Sequence, residues 1–240
     1  MNLFSYFTSL RPFIIAFKQS DLFGKLIMLA LVALSLICWL IILQKNKEFK
    51  VLIAEQKKVV DETLKQKNPL GSYEGKEKNN PFYQLYFNYR QKSLDLLNKN
   101  KFFASETSKS VYLSQTDLQM VEDAAVLSIN ESMKKLEKNI SILSTITTLA
   151  PFLGLLGTVW GILMTFTELS NGAQAAQNSA VIGGLSMALA TTVMGLVIAI
   201  PSLIGFNQLK ENLKNTHSDL DNYLGKLISQ LELQYRKVEL

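Results

Sequence analysis

The feature that most constrains the fold of this chain is the length of its uncharged segments. Leu26–Leu43, Ile140–Thr167 and Leu169–Gln208 cover 18, 28 and 40 residues and contain no Asp, Glu, Lys or Arg. The chain of 240 residues is 48% hydrophobic and 19% charged, so its charges are concentrated between these segments. Because about 20 apolar residues span the hydrocarbon core of a bilayer, the segments predict an integral membrane protein.

The uncharged segments divide into three predicted transmembrane spans. The first span, 26–43, is followed by Gln44-Lys-Asn-Lys47, where a signal peptide would carry small residues before its cleavage site. We therefore expect this span to be retained. The polar stretch Ser170–Ser179 separates two further spans, 140–166 and 180–206. Each of these is roughly 40 Å of helix, which is long enough to tilt in the bilayer or to project beyond it.

The distribution of basic residues predicts the topology. Residues 1–25 contain three Lys or Arg, 44–139 contain 17, 168–179 contain none and 207–240 contain five. Cytoplasmic loops carry an excess of basic residues, so the middle segment and the C-terminal tail are expected in the cytoplasm. The short loop and the N-terminus then lie on the opposite, outer side of the membrane. The formal net charge of +5 belongs mostly to these cytoplasmic parts, and no nucleic-acid partner is expected.

The first 20 residues are rich in aromatic and aliphatic side chains. Five of them share one stripe at helical spacing, namely Phe4, Phe7, Leu10, Ile14 and Phe17. Arg11 and Lys18 lie off this stripe. The pattern predicts an amphipathic helix that lies at the membrane–water interface on the outer side of the membrane. The alternative is a frayed terminus.

Two long apolar seams predict helices next to the second and third spans. The first seam is Leu118, Val121, Ala125, Ile129, Met133, Leu136, Ile140 and Leu143, and the second is Leu209, Leu213, Thr216, Leu220, Leu224, Leu227 and Leu231. Both follow the spacing of three and four residues of an amphipathic helix. Ser114 and Asp117 resemble a capping box that opens the first helix. The seams predict an intrachain helical bundle, and contacts between subunits along them remain an alternative.

The chain is therefore predicted to be an all-α membrane protein with three transmembrane helices, two of them extended into a cytoplasmic helical bundle. Its segments are an amphipathic interface segment (1–20), the first span (21–45), a cytoplasmic helical domain (46–138), the second span (139–168), a periplasmic loop (169–179), the third span (180–206) and a cytoplasmic C-terminal helix (207–240).

The second and third spans are predicted to pack closely on each other. Gly157 and Gly161 form a GxxxG pair on the second span, and Gly184, Ala188 and Gly195 place small residues on nearly one face of the third. Small residues let helix backbones approach closely in lipid, where hydrophobicity provides no attraction between helices. Each span also contains a proline, Pro151 or Pro201, at which we expect a helix kink.

Hydroxyl groups are the most informative polar groups of these two spans. Thr158, Thr191 and Thr192 lie near mid-span. Their hydroxyls either bond a carbonyl one turn earlier or line a narrow ion pathway, and the residues alone leave both readings open. Neither span contains an Asp, Glu, Lys, Arg or His. If the protein conducts protons, the titrating carboxylate must therefore come from a partner helix. We expect no metal, no cofactor and no enzymatic activity.

Two sequence stretches resemble the signature of the MotA/TolQ/ExbB proton-channel family. They are Ala-Pro-Phe-Leu-Gly-Leu-Leu-Gly-Thr-Val-Trp-Gly-Ile (150–162) and Ala-Leu-Ala-Thr-Thr-Val-Met-Gly-Leu-Val-Ile-Ala-Ile-Pro (188–201). The resemblance extends over all three spans, and the first span is most similar to the TolQ branch. It implies a subunit that converts proton-motive force into mechanical work on the cell envelope, in the bacterial inner membrane.

The resemblance also implies partners and site residues. It implies a homopentamer that encloses TolR- or ExbD-type single-span proteins bearing an intramembrane Asp, together with a TolA- or TonB-like protein that spans the periplasm. Thr158 and Thr192 match the family's pore threonines. One position departs from the pattern, because Met187 stands where this family usually carries a Glu, five residues before Thr192.

Three alternatives to a TolQ-type role remain. An ExbB-type subunit that energises outer-membrane import is close to it, and a flagellar stator subunit is disfavoured because that family usually has four spans. A membrane anchor that does not conduct ions belongs to a different functional class.

Overall fold

The computed structural model describes residues 11, 13–73, 75, 78–103, 112–170 and 177–236. A short helical segment, 13–19, is followed by five helices. They are α1 (Leu22–Leu64), α2 (Pro81–Phe103), α3 (Gln115–Glu137), α4 (Ile140–Ser170) and α5 (Gln177–Tyr235). The described residues form no strand, and their only bridge pairs Leu113 with Arg236. The predicted all-α fold is confirmed.

Three stretches of helix are long and apolar enough to cross a membrane. They lie within Leu22–Leu64, Gln115–Ser170 and Val181–Tyr235. Their positions match the three spans predicted from the uncharged segments, so the prediction of three membrane-spanning helices is confirmed. The stripe residues Phe4, Phe7 and Leu10 of the predicted interface helix lie outside the described residues.

The chain divides into two compact units. Met1–Lys45 and Asn139–Leu209 form the first, which we call the membrane unit, and Asn46–Lys138 and Lys210–Leu240 form the second, which we call the polar unit. Helices α1 and α5 each contribute one segment to the membrane unit and another segment to the polar unit.

The polar unit is a helical bundle with its own apolar core. Buried side chains of α1, α2, α3 and α5 meet there, and they include most of the predicted seam residues. The intrachain bundle is thus confirmed. Two tyrosine hydroxyls form hydrogen bonds inside this core. Tyr223 Oη lies 2.6 Å from Thr63 Oγ1, and Tyr89 Oη donates to the Leu227 carbonyl over 3.1 Å. Burial raises the pKa of both phenols.

Helix α3 begins at the predicted capping box. The backbone N–H of Asp117 donates to Ser114 Oγ over 3.1 Å, and the backbone N–H of Ser114 donates to Asp117 Oδ2 over 3.0 Å. Burial acts to raise the pKa of Asp117, but hydrogen bonds from Asn100 and Ser114 outweigh it, so the pKa lies below its usual value. The box stabilises the first turn because it satisfies N–H groups that have no partner within the helix.

The first seam continues into the second span, where Ile140 and Leu143 are buried, but the helix that carries it is interrupted between the two. Helix α3 ends at Glu137 and α4 begins at Ile140, with Asn139 between them at a φ of 72°. A left-handed residue ends the α-helical hydrogen-bond pattern, and Asn accepts this conformation more readily than most residues do. The seam spacing runs on through Ile140 and Leu143, so the hydrophobic pattern alone could not reveal the break.

Candidate functional site

The contact between α4 and α5 is built from residues that lack bulky side chains. A Cβ placed on Gly161 would lie 2.6 Å from the Gly184 carbonyl oxygen and 3.0 Å from the Cβ of Ala188. A Cβ on Gly195 would lie 2.6 Å from the Ala150 carbonyl oxygen. Since non-bonded carbon atoms prefer separations of about 3.5–4.0 Å, these positions leave no room for a larger residue.

Gly157 completes the same face of α4. A Cβ at this position would overlap the side chain of Thr191, which is fully buried. The structure therefore brings together all five residues predicted to pack the helices: Gly157 and Gly161 on α4, and Gly184, Ala188 and Gly195 on α5.

Two of the three predicted pathway threonines bond across this contact. Thr192 Oγ1 donates to the Gly154 carbonyl over 3.2 Å and lies 3.4 Å from the Ala188 carbonyl of its own helix. Thr191 Oγ1 lies 3.0 Å from the Ala188 carbonyl and 3.4 Å from the Gly154 carbonyl. Both hydroxyls thus bond within their own helix and reach the neighbouring helix as well. Thr191 is fully buried, whereas Thr192 is partly accessible.

The third threonine, Thr158, is not part of this cluster. Its hydroxyl donates to the Leu155 carbonyl of the same helix over 2.6 Å, and its side chain is half-buried. It follows Gly157 directly, so it lies about 100° around α4 from the face that packs on α5. Helix geometry therefore places Thr158 at the edge of the helix contact and Thr191 inside it.

The two prolines lie inside helices that continue on both sides of them. Pro151 is within α4 and Pro201 is within α5. Proline cannot donate the backbone hydrogen bond that an interior position normally makes. Ser202, next to Pro201, donates its buried hydroxyl to the Leu143 carbonyl over 3.2 Å. The kinks predicted at the two prolines remain predictions.

Met187 faces α1 rather than the threonines. Its side chain is buried, and its Sδ and Cε atoms occupy the space where a Cβ of Gly24 would lie. The same space is approached by Asp21, whose Oδ1 would lie 2.9 Å from that Cβ. The position that departs from the family pattern is thus filled by a thioether close to a carboxylate of another segment.

Asp21 is a polar residue of the membrane unit that the sequence analysis missed. Its Oδ1 accepts the Gly24 backbone N–H over 3.0 Å, and its Oδ2 accepts the indole N–H of Trp160 over 3.0 Å. The rings of Phe23 and Trp160 have centroids 4.4 Å apart. An Asp immediately before a helical apolar run is a helix N-cap signal, and this signal could have identified it. No local signal could have identified Trp160 as its partner, because they are 139 residues apart.

The bond to Asp21 is on the opposite side of α4 from Thr158. Thr158 and Trp160 are two positions apart, which corresponds to about 200° around a helix. Asp21 therefore ties the start of α1 to one flank of α4, while Thr158 faces the other flank. In the part of the membrane unit that the structure describes, the other acidic residue is Glu168, which is exposed.

The three threonines supply hydroxyl oxygens to the second and third spans but no titratable group. Each threonine hydroxyl donates to a carbonyl and keeps an acceptor lone pair. Such groups can solvate an ion or a water molecule, whereas they do not exchange protons as acids near neutral pH. Among the described residues, no group of three or more His, Cys, Asp or Glu could hold a metal ion.

Comparisons with known proteins agree on one family, while the similar proteins carry two different names. Residues 96–222 match the MotA/TolQ/ExbB proton channel family. The chain is similar to the Tol-Pal system protein TolQ of Haemophilus influenzae, with 26% identity over 229 residues that cover 92% of this chain and 94% of that protein.

Two relatives named biopolymer transport protein ExbB are more similar over shorter stretches. The protein of Helicobacter pylori is 40% identical over 101 residues, which cover 41% of this chain and 64% of that protein. The protein of Neisseria gonorrhoeae is 33% identical over 140 residues, which cover 58% of this chain and 56% of that protein. The chain thus spans less than two thirds of the length of either ExbB relative.

Proposed function

Because the chain belongs to the MotA/TolQ/ExbB proton channel family, we propose that it is the channel-forming subunit of a TolQ-type inner-membrane complex, one that converts proton-motive force into mechanical work on the cell envelope. The observation that carries this proposal is the threonine cluster at the α4–α5 contact, where Thr192 bonds across to Gly154. Similarity to a TolQ protein over 92% of the chain supports the TolQ branch.

The chemistry of the cluster requires a partner for proton transfer. The threonines can line the pathway, but the spans of α4 and α5 contain no acidic or basic side chain. A charge in a membrane interior is costly unless it faces a protein or water-filled interior. We therefore propose that a TolR- or ExbD-type single-span protein brings an Asp to this site, inside a homopentamer of the present chain, and that a TolA- or TonB-like protein carries the force across the periplasm.

Proton flux into liposomes tests the pathway. Thr192→Val keeps the shape of the side chain and removes its hydroxyl, whereas the matched control Thr192→Ser keeps the hydroxyl. With the partner co-reconstituted, flux driven by a membrane potential should fall at least tenfold in the valine variant and stay within twofold of wild type in the serine variant. The same pair of changes at Thr158 tests the second pathway residue.

Assembly must be measured in parallel, because both substitutions alter a packed membrane unit. Gel filtration of the complex should give the same elution for the valine and serine variants. Equal flux in valine and serine variants would show that the hydroxyls only satisfy helix carbonyls. A large flux through the present chain without any partner would contradict the requirement for a partner carboxylate.

An ExbB-type role is the second candidate, and the higher local identity to ExbB proteins favours it. Purifying the chain from its native membrane and identifying the co-purifying single-span protein separates the two roles. A chain that assembles with its partner yet passes no protons would instead be a structural anchor.

The proposed orientation places the N-terminus and the α4–α5 loop in the periplasm and the C-terminus in the cytoplasm. Single cysteines at Arg11, Ser170 and Ser229, all exposed, test it in a variant whose native Cys38 is replaced by serine. A membrane-impermeant maleimide should label the first two positions in spheroplasts and the third only after lysis. Labelling of Ser170→Cys only after lysis would reverse the orientation.

A further inference from the structure

An apolar groove lies on the membrane unit, and none of the three threonines lines it. Seven side chains line it: Phe13, Ile14, Phe17, Met28, Leu29, Val32 and Met194. Its volume is about 280 Å³, and every lining residue is hydrophobic. We call it the acyl groove.

The helical segment 13–19 forms one wall of the acyl groove by packing on α1 and α5. Ala16, Met28 and Ala190 are buried against one another, and Phe13 and Met194 pack on them. The segment is joined to α1 by a short connection in which Ser20 donates its hydroxyl to the Ala16 carbonyl. The groove is therefore a concave feature made by three parts of the chain rather than the convex face of a single helix.

The open side of the acyl groove is exposed and apolar. Ile14, Leu29 and Val32 are 47%, 54% and 44% exposed. Apolar walls without partner atoms lose the dispersion contacts that a packed interior provides, so an apolar occupant would be favoured here. An occupant of this open groove only has to follow its concave apolar wall, which a flexible hydrocarbon chain can do.

Two lysines, with the carboxylate of Asp21 between them in sequence, lie next to one end of the acyl groove. Lys25 lies one helical turn before Met28 and Leu29 on α1, and Lys18 lies one turn after Ile14 on the N-terminal segment. Residues three or four apart share a helix face, so both lysines lie at the end where the segment joins α1. The nearby carboxylate of Asp21 accepts hydrogen bonds from Gly24 and Trp160.

We propose that the acyl groove binds one acyl chain of an anionic glycerophospholipid, whose phosphate is held by Lys18 and Lys25. The hydrocarbon chain matches the apolar walls, and the phosphate matches the basic end. This binding would fix the N-terminal segment against α1 and α5. The groove uses residues other than those of the proposed proton pathway, since its lining does not include Thr158, Thr191 or Thr192.

Photo-crosslinking in vesicles tests the acyl-chain part of the proposal. The purified full chain is reconstituted with phosphatidylglycerol that carries a diazirine in one acyl chain, and crosslinked peptides are identified by mass spectrometry. Crosslinks are expected on the 13–19 segment and at Met194. Val32→Trp should fill the groove and lower this crosslinking at least fivefold. The matched control is Val193→Trp, which changes an exposed valine that does not line the groove.

The headgroup part is tested by competition. Unlabelled phosphatidylglycerol should suppress the groove crosslinks at least fivefold more effectively than phosphatidylcholine. This preference should disappear in a variant that combines Lys18→Gln and Lys25→Gln. Gel filtration and helical content by circular dichroism should match wild type for every variant. If Val32→Trp does not match, Val32→Leu is used in its place.

Two results would overturn the proposal. Equal crosslinking in the Val32 and Val193 variants would show that lipid contacts the whole apolar surface without occupying the groove. Crosslinks between two copies of the chain at the groove residues, in place of lipid adducts, would show that a neighbouring subunit covers it.

Discussion

Replacing Gly195 by alanine should weaken the membrane unit because two backbones meet at this residue. The new Cβ would lie 2.6 Å from the Ala150 carbonyl oxygen and 3.3 Å from the Gly154 Cα. Both neighbours are backbone atoms, so no side chain can rotate to make room. Relieving the overlap requires α4 and α5 to separate locally by roughly 0.5–1 Å if non-bonded contacts are to approach their preferred distances.

The expected cost follows from three contributions. Inserting a methyl group into a packed contact typically costs about 1–3 kcal/mol. Separation of the helices also stretches the bonds from Thr191 and Thr192 to the Gly154 carbonyl, now 3.4 and 3.2 Å long, and an interhelical hydrogen bond in a membrane contributes about 0.6 kcal/mol. Alanine regains roughly 0.5–1 kcal/mol through its higher helix propensity. The free energy of unfolding should therefore fall by about 1–3 kcal/mol.

Titration with SDS in mixed micelles measures this change. Both tryptophans, Trp39 and Trp160, belong to the membrane unit, so their fluorescence reports on its unfolding. Gly183→Ala is the matched control, because it makes the same chemical change in the same helix, yet its Cβ would lie no closer than 3.1 Å to a neighbouring atom, which belongs to the Gln19 side chain. We expect the control to stay within about 0.5 kcal/mol of wild type, since a small steric cost opposes the gain in propensity. If both variants unfold at the same SDS fraction, the close backbone approach at Gly195 does not limit stability.

Three further outcomes are expected. Asp117→Ala should lower the free energy of unfolding by about 1 kcal/mol, because it removes the side-chain oxygen that accepts the Ser114 backbone N–H, while Asp123→Ala on the exposed side of the same helix should cause no loss in chemical denaturation. The pKa of Asp117 is depressed in the folded chain. The stabilisation by its carboxylate should therefore be present above about pH 4, the ordinary pKa of Asp, and should disappear as the pH falls through the lower pKa of the folded chain. Tyr223→Phe should lower the free energy of unfolding by about 1 kcal/mol, because it removes the buried hydrogen bond to Thr63. Chemical denaturation followed by circular dichroism measures this change, and an unchanged free energy would show that Thr63 finds another partner. Trp160→Phe keeps a ring beside α1 but leaves Asp21 without the indole donor, so proteolysis within the first 20 residues should become faster, and an unchanged rate would contradict a role for this bond.

The spans were predictable because a bilayer demands long uncharged segments. The charge-free runs identified all three apolar helices, and the 3–4 spacing of the seams identified the core of the polar unit. Small residues and hydroxyls also signalled the α4–α5 contact, since glycine is the residue that permits close approach of backbones. These features are all encoded by residues near one another in sequence.

The features that could not be predicted depend on distant or single residues. The Trp160–Asp21 bond joins parts of the chain that share no local pattern. Periodicity could not separate the buried Thr191 from the half-buried Thr192, because their burial depends on where the neighbouring helix lies. The break at Asn139 reverses the backbone conformation of one residue without interrupting the apolar spacing.

That break also limits the natural variation that this position can accept. Asn139 is exposed, so a survey based on burial would rank it among the freely replaceable residues. Its positive φ imposes a different restriction: glycine and aspartate can take its place at little cost, whereas β-branched residues resist this conformation. Isoleucine and threonine are each one nucleotide change away from an asparagine codon. In a comprehensive library of variants, this surface residue should therefore tolerate fewer replacements than its exposed neighbour Lys138, and the replacements lost should be those with branched side chains.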